Sequence, residues 1–385
     1  MNFSKFGISH LFSPSPIVLL IGTSLCLSGC DRFFRPLDPP EPQTPQSEAL
    51  VFNDITLEQV NPEGQKVWEL EAESVTYEPE TRLALVDKPS GLLFENGTAT
   101  YRVSATTGQV DESKPEIILR GTIVLEALID KGVLTGDQLT WKPEEELFIL
   151  EGNLTGTYED IKFTGQRAEL QNKIEELRVT GQVVADLQDS DARLKTEALT
   201  WDMDQERVQG ILPVLLEHYE AEKPDQIIDR ATGDGIIALI PQQRFTLSPK
   251  AIVTLGKSGL EIRSESLTWD AIEERVDSPV TVTVVRSTDG LEVKGNSGNF
   301  ELKTQIATLQ GAIEAWNPKQ AARLWADRLV WGLKDDRVEA TGVVRYEQGN
   351  PVLKIEGDRA VGLLDSEEIT VTSSERSVKT VYVLP

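Results

Sequence analysis

After residue 30 this sequence has no cysteine and a single histidine, His218. Cys26, Cys30 and His10 all lie in the first thirty residues. Disulfide scaffolds, CxxC redox sites, zinc sites built on Cys and His, and nucleophilic triads that need a histidine are therefore close to excluded. Positive charge is also scarce. Against 63 Asp and Glu stand 38 Lys and Arg, a formal net charge of −25. Nucleic-acid phosphates need an electropositive face, so no nucleic-acid partner is expected. P-loop, GxSxG, HExxH and EF-hand patterns are missing too, so no catalytic residue, metal ligand or cofactor is assigned.

What is present begins with an address. Met1 to His10 carries one lysine, Lys5, and no acid, and Ile17 to Leu27 is an uncharged run of eleven residues. A helix crossing a bilayer needs about 20, whereas a signal-peptide h-region needs fewer. The run ends in Leu27-Ser28-Gly29-Cys30, which resembles a bacterial lipobox. That resemblance implies a lipoprotein-type signal peptide over 1–29 and an acylated Cys30 as lipid anchor, two or more acyl chains giving stable attachment where one does not. A plain signal peptide with an incidental cysteine and an uncleaved N-terminal anchor are the alternatives. Asp31 resembles the inner-membrane retention signal of enteric lipoproteins. Five prolines between Pro36 and Pro45 make 30–49 a stiff linker. At ~3.1 Å per residue it would hold a domain roughly 30–50 Å from a membrane. The folded part is expected from near Val51.

From Val67 onward one phrase returns. It reads Ser74-Val-Thr-Tyr77, Gln138-Leu-Thr-Trp141, Ala198-Leu-Thr-Trp201, Ser266-Leu-Thr-Trp269 and Arg328-Leu-Val-Trp331, with aromatic anchors 64, 60, 68 and 62 residues apart. Three copies continue alike, through Glu206-Arg-Val208, Glu274-Arg-Val276 and Asp336-Arg-Val338. A second phrase carries a glycine, at Gly165, Gly295 and Gly357, which points to a strand-turn-strand unit of about thirty residues used twice per period.

Between anchors the residues alternate. Trp68, Leu70 and Ala72 are separated by Glu69 and Glu71; Ile117, Leu119, Gly121, Ile123 and Leu125 share one parity, as do Leu177, Val179, Gly181, Val183, Ala185 and Leu187. Period two marks strands with one dry face. Turn signals interrupt them at Asn96-Gly97, Glu112-Ser-Lys-Pro115, Asp289-Gly290 and Gly349-Asn350-Pro351. Gln320 to Leu329 also fits a helical face, but Ala326 to Trp331 is the repeat phrase in register, so a strand is expected there. A short helix is allowed near Val51 to Gln59. The fold class is all-β: an elongated, open antiparallel β-jelly roll of two facing sheets, built from repeats of about 60–68 residues.

Four stretches carry a family resemblance: Trp68 to Tyr77, Tyr101 to Gly108, Ile118 to Leu125, and Gly132 to Trp141. Together they resemble the LptC family, the periplasmic component of the lipopolysaccharide-export ABC transporter, and the wider OstA/LptA-like β-jelly-roll group. The resemblance covers about 50–210. Residues 50–212 are expected to form the LptC-like region and 213–385 further repeats that continue its sheet, an extended form resembling a cyanobacterial type. Proteobacterial members commonly keep a transmembrane helix where this chain has the lipobox, and the second half has no counterpart in them.

The resemblance implies a V-shaped trough for the acyl chains of lipopolysaccharide or a related glycolipid. Exposing one fourteen-carbon chain to water would cost on the order of 10 kcal/mol at ~0.8 kcal/mol per CH₂. The implied partners are an inner-membrane ABC transporter of the LptB/F/G type and an LptA/OstA-like periplasmic bridge or outer-membrane assembly protein, docked edge to edge at the periplasmic face of the inner membrane. The N-terminal edge would face the transporter, and Glu368 to Ser374 with Thr380 to Leu384 would supply the delivering edge. Groove candidates are the inward apolar residues Trp68, Leu70, Leu119, Ile123, Leu125, Trp141, Phe148, Leu150, Val179, Val183, Trp201 and Trp269, which equally suit an ordinary sandwich core. Glu69, Glu71 and Glu73 belong to a solvated face, and His218 to a sheet with its polar atoms satisfied. Two other functions stay open: a scaffold lipoprotein with a fully packed sandwich, and a polysaccharide-active enzyme using paired carboxylates.

Overall fold

Alternation of period two becomes strand almost throughout. The computed structural model describes residues 49–383 except 96, 112, 115, 130, 222, 350–351, 365–367 and 374–377. The signal peptide, Cys30 and the proline-rich linker lie outside the described residues, as do Asn96, Glu112, Pro115, Asn350 and Pro351 of the expected turns. Among the described residues there are thirty β-strands, all paired antiparallel, and three single-turn 3₁₀ segments. Leu50–Val60, where a short helix was allowed, is a strand along its whole length, paired with Lys66–Glu78. Eleven residues that cannot bury a helical stripe gain a full ladder of backbone hydrogen bonds by pairing instead. Gln320 to Leu329 is likewise not helical; Ala322–Gly332 is a strand between two others.

A strand here seldom stays in one sheet. Glu116–Ala127 pairs through Glu116 to Arg120 with Thr107–Asp111, then through Val124 to Ala127 with Thr98–Ser104. The register shifts between Arg120 and Ile123, and Gly121 there has φ +94°. The same break recurs at Gly152, Gly181, Gly311 and Gly342. At Gly152 (φ +77°) a Cβ would also stand 2.5 Å from Asp137 Oδ2, so glycine is required twice over. Elsewhere the strand divides outright, as in Arg207–Gly210 with Val214–Glu220 and Arg275–Ser278 with Val282–Arg286. Pro213 and Pro279 sit in those two breaks, where a residue without an N–H removes no ladder bond.

Each long strand, or divided pair, is thus one rung contributing to two sheets that meet along a spine of bulges. The first sheet holds the aromatic anchors: Tyr77, Trp141, Trp201, Trp269 and Trp331 all stand near the C-terminal end of a rung, four rungs apart. The period near sixty-four residues is therefore four rungs, and the glycine-bearing phrases fall two rungs from an anchor. Gly121 itself is exposed on the spine rather than inside.

The two sheets face each other over one continuous core that runs from Trp68 to Ala360. They do not close into a barrel. Among the described residues, Leu50–Val60 pairs only with Lys66–Glu78, and Glu368–Thr372 and Lys379–Val383 pair only with Val352–Leu363. Pairing also runs unbroken across residue 212, since Ala192–Asp202 pairs with both Arg207–Gly210 and Val214–Glu220.

Candidate functional site

Opposite the spine each turn joins neighbouring strands of one sheet, as between Trp141 and Phe148 or Tyr158 and Ile161, and among the described residues no strand crosses from sheet to sheet, so this side is a mouth. Its first-sheet lip repeats one geometry. Glu146, Glu175, Glu206, Gln243, Glu274, Gln305 and Asp336 each close a turn with φ between 44° and 58°. The carbonyl of each accepts a hydrogen bond from the opening residue of the next turn, from Asn172 N–H to Glu146 at 3.0 Å up to Leu364 N–H to Asp336 at 3.0 Å. A left-handed L-residue stores strain, and here stacked turns over-determine it. The lip is consequently a ladder whose side chains are mostly carboxylates.

Behind the lips, ten of the twelve groove candidates are buried: Trp68, Leu70, Leu119, Ile123, Leu125, Trp141, Phe148, Leu150, Val179 and Val183. Ile123 and Leu150, nearest the spine, have no exposed area. Trp201 and Trp269 are half-buried and stand at the mouth. Open space lies beside some of these residues. A cavity of about 470 Å³ lies between the sheets, lined by Tyr101, Leu125, Leu134, Phe163, Leu177 and Trp201 with Glu95, Glu175 and Glu206 among its polar residues. A smaller apolar void of about 70 Å³ adjoins it, bounded by Val179, Val183 and the same Trp201. Further along, a more polar cavity of about 330 Å³ reaches from Asp189 and His218 to Trp269 and Leu333. The structure thus places Leu125, Val179, Val183, Trp201 and Trp269 against open volume, and the other candidates in packed core.

The mouth is bridged at intervals by residues that were not among the groove candidates. Tyr158 of the second sheet meets Trp201 of the first edge to face, His218 lies 5.4 Å from Trp269, and the Arg286 guanidinium lies 5.4 Å from the Trp331 ring. In each pair the tryptophan stands three rungs beyond its cap, so the sheets are skewed by roughly 14 Å at the ~4.8 Å strand spacing, as a twisted pair of sheets must be. A signal was present: Tyr158, His218 and Arg286 are spaced by 60 and 68 residues, like Trp141, Trp201 and Trp269. Three different residue types hid it. Tyr101 Oη also donates to Asn172 Oδ1 at 2.6 Å, and Ser190 Oγ to Gln243 Oε1 at 3.1 Å.

Charge at the caps is balanced. Arg286 is 9% exposed and contacts Asp289 and, at 2.6 Å, Asp336. Its hydrogen bonds hold the Asp289 carboxyl below the usual range in spite of burial. His218 Nδ1 is 3.1 Å from Asp229 Oδ2, the satisfied arrangement expected of it. Glu95 is the contrary case: burial, and then the carboxylates of Glu146 and Glu175, push its pKa up. Among the described residues no group of three or more His, Cys, Asp or Glu is placed to hold a metal ion, and no helix is long and apolar enough to cross a membrane.

Residues 16–149, about a third of the chain, match the family model LptC, described as lipopolysaccharide-assembly, LptC-related. That stretch is LptC-like. It ends earlier than the 50–210 implied by the motifs, and holds Trp68, Leu70, Leu119, Ile123, Leu125, Trp141 and Phe148, with Leu150, Val179, Val183, Trp201 and Trp269 beyond it. Among solved structures, one similar chain is LptH of Pseudomonas aeruginosa, described as the LptA-homologous periplasmic component of the lipopolysaccharide transport device. It is 25% identical over 29% of this chain and 76% of its own, with a TM-score of 0.25. No curated protein matches.

Proposed function

We propose that this chain is a non-enzymatic envelope component that carries lipopolysaccharide, or a related glycolipid, from an inner-membrane ABC transporter across the periplasm. Acyl chains would occupy the gap between the two sheets, and the sugars would remain outside the mouth. The observation that carries this reading is the cavity of about 470 Å³ between facing sheets, with Leu125, Phe163, Leu177 and Trp201 on its walls. Its size is that of small-molecule pockets, about 300–1,000 Å³. The LptC-like match over 16–149 supports the same transport class.

The ends of the sheet supply the docking sites. Leu50, Val51 and Phe52 are 48%, 62% and 44% exposed on a strand whose outer edge is unpaired among the described residues. An edge of that kind invites aggregation unless another strand covers it. A transporter-side sheet at this edge, and a bridge component or outer-membrane assembly protein of the LptA/OstA type at Glu368–Thr372 and Lys379–Val383, would extend the hydrogen bonding by strand addition. Acylated Cys30 would tether the chain to the periplasmic face of the inner membrane.

Full burial of Ile123 and Leu150 favours the scaffold reading for the rows nearest the spine. Lipid would sit nearer the mouth. Photocrosslinkers at Leu125 and Trp201 should capture labelled lipopolysaccharide in cells. Capture only from outward positions such as Glu69 or Arg178 would refute an interior path.

A further inference from the structure

Arg286 ends the second-sheet strand Val282–Arg286, Asp336 closes a first-sheet turn, and the two side chains meet across the mouth at 2.6 Å. Ion pairs such as Arg167 with Glu151 and Arg244 with Asp270 instead join neighbouring strands of one sheet. Toward the N-terminal edge the bridges between the lips are neutral, as in Tyr101 with Asn172, Tyr158 with Trp201 and Ser190 with Gln243. At Arg286 they are charged. Asp336 Oδ1 also accepts from the Trp331 indole N–H at 3.4 Å, and Arg286 Nε donates to Asp289 Oδ1 at 2.9 Å. Hydrogen bonds between ionised groups are about twice as strong as neutral ones, and parting this one strips a partner from a buried charge.

Open volume lies on both sides of the pair. The polar cavity of about 330 Å³ reaches Ser258 on the second sheet and Leu333 on the first, so it ends just short of Arg286 and Asp336. Just past them an apolar void of about 90 Å³ opens among Leu291, Trp331, Leu364 and Ile369. An amphiphile carried with its acyl chains between the sheets and its head in water threads the mouth wherever it stands. Lips bonded to each other leave no slit for the link between chain and head. Such a molecule passes Arg286 only while the ion pair is open.

We infer that Arg286 and Asp336 form a gate across the mouth, which divides the lipid path into an N-terminal and a C-terminal compartment and opens for each amphiphile that crosses it. The inference rests on the lipid-carrier reading and adds the point at which passage is controlled.

Capture of labelled lipopolysaccharide in cells by photocrosslinkers at Leu125 and at Leu364, before and beyond the gate, tests this. Arg286→Cys with Asp336→Cys places two thiols across the mouth of a chain whose own cysteines both lie in the first thirty residues. Tying them with a short bismaleimide should abolish capture at Leu364 and leave capture at Leu125, whereas Arg286→Cys alone, treated alike, should keep both. Untied, the double variant should capture at Leu364 severalfold more than the wild type, and so should Asp336→Asn, which keeps the side-chain shape. Undiminished capture at Leu364 in the tied chain, or no rise in either untied variant, would overturn the gate and leave lipid carriage standing. No capture at either position in the wild type would overturn lipid carriage and the gate with it.

Discussion

Tyr158 and Trp201 come from opposite sheets and meet edge to face, with ring centroids 4.6 Å apart and planes at 69°. Both line the cavity of about 470 Å³ and the apolar void beside it, so the contact that bridges the mouth is made of the same residues that bound the cavity. On the proposed lipid-carrier function, an acyl chain entering from the side would have to part them.

Removing that cap should loosen the mouth more than the fold. Tyr158→Ala is expected to lower unfolding free energy by about 1–3 kcal/mol, the lost aromatic contact plus part of a buried surface. Lipid capture by a photocrosslinker at Leu125 should rise. Unchanged or reduced capture in a folded variant would argue that Tyr158 seats the ligand rather than gating it.

Arg286 plays the same role at Trp331 with charge added. Arg286→Ala takes away the guanidinium shared by Asp289, Asp336 and the indole face, and should cost about 3–5 kcal/mol at neutral pH. Because the folded pKa of Asp289 is depressed, its contribution is complete above the unfolded value near ~3.9 and fades as pH falls through the lower folded one. Urea unfolding at pH 7 and at pH 3 should therefore show the wild-type advantage narrowing in acid. An equal gap at both values would assign the effect to packing alone.

Glu95 should behave in the opposite sense. Its folded pKa is raised, so the ionised group opposes folding once pH exceeds the unfolded value near ~4.3. Glu95→Gln is expected to stabilise at pH 7 by less than about 1 kcal/mol, a partly exposed contact being weak, and to be neutral below about pH 4. Thermal melts across that range would show it; a destabilised variant at pH 7 would mean that Glu95 is held by attraction after all.

The spine can be tested at Gly152. Gly152→Val would demand φ +77° from a β-branched residue and press on Asp137, at a cost of about 1–3 kcal/mol or more. Chemical denaturation reads this directly. A variant as stable as the wild type would mean the bulge can shift by one residue.

Anchoring calls for a separate measurement. A fatty-acid probe should label the wild-type chain in cells and fail to label Cys30→Ala. Equal labelling of both would place any acyl group elsewhere.

Much of the architecture was legible in the order of residues. Strict alternation in stretches such as Leu177 to Leu187 marks one dry face, because successive side chains of a strand point to opposite sides. The return of Trp141, Trp201 and Trp269 marks equal numbers of rungs, because each anchor occupies the same place in a stacked unit. Gln320 to Leu329 satisfies helical and strand spacing alike, and the in-register phrase resolved it. Local pattern left a short helix open at Leu50–Val60, where pairing along the ladder from Val60 with Lys66 to Leu50 with Tyr77, not intrinsic preference, set the conformation.

The chain alone also determined that most strands would carry one apolar face and that after residue 30 there is no cysteine and a single histidine. Tertiary structure decided which apolar residues are core and which face a gap. Ile123 and Val183 have the same parity and nearly the same exposure, yet only Val183 borders a void. Both stand two residues past a bulge glycine, Gly121 and Gly181, so their place along the rung is the same and the difference lies in what the facing sheet packs against each. Which residues of the other sheet lie opposite depends on the skew of three rungs between the sheets, and no single strand encodes it.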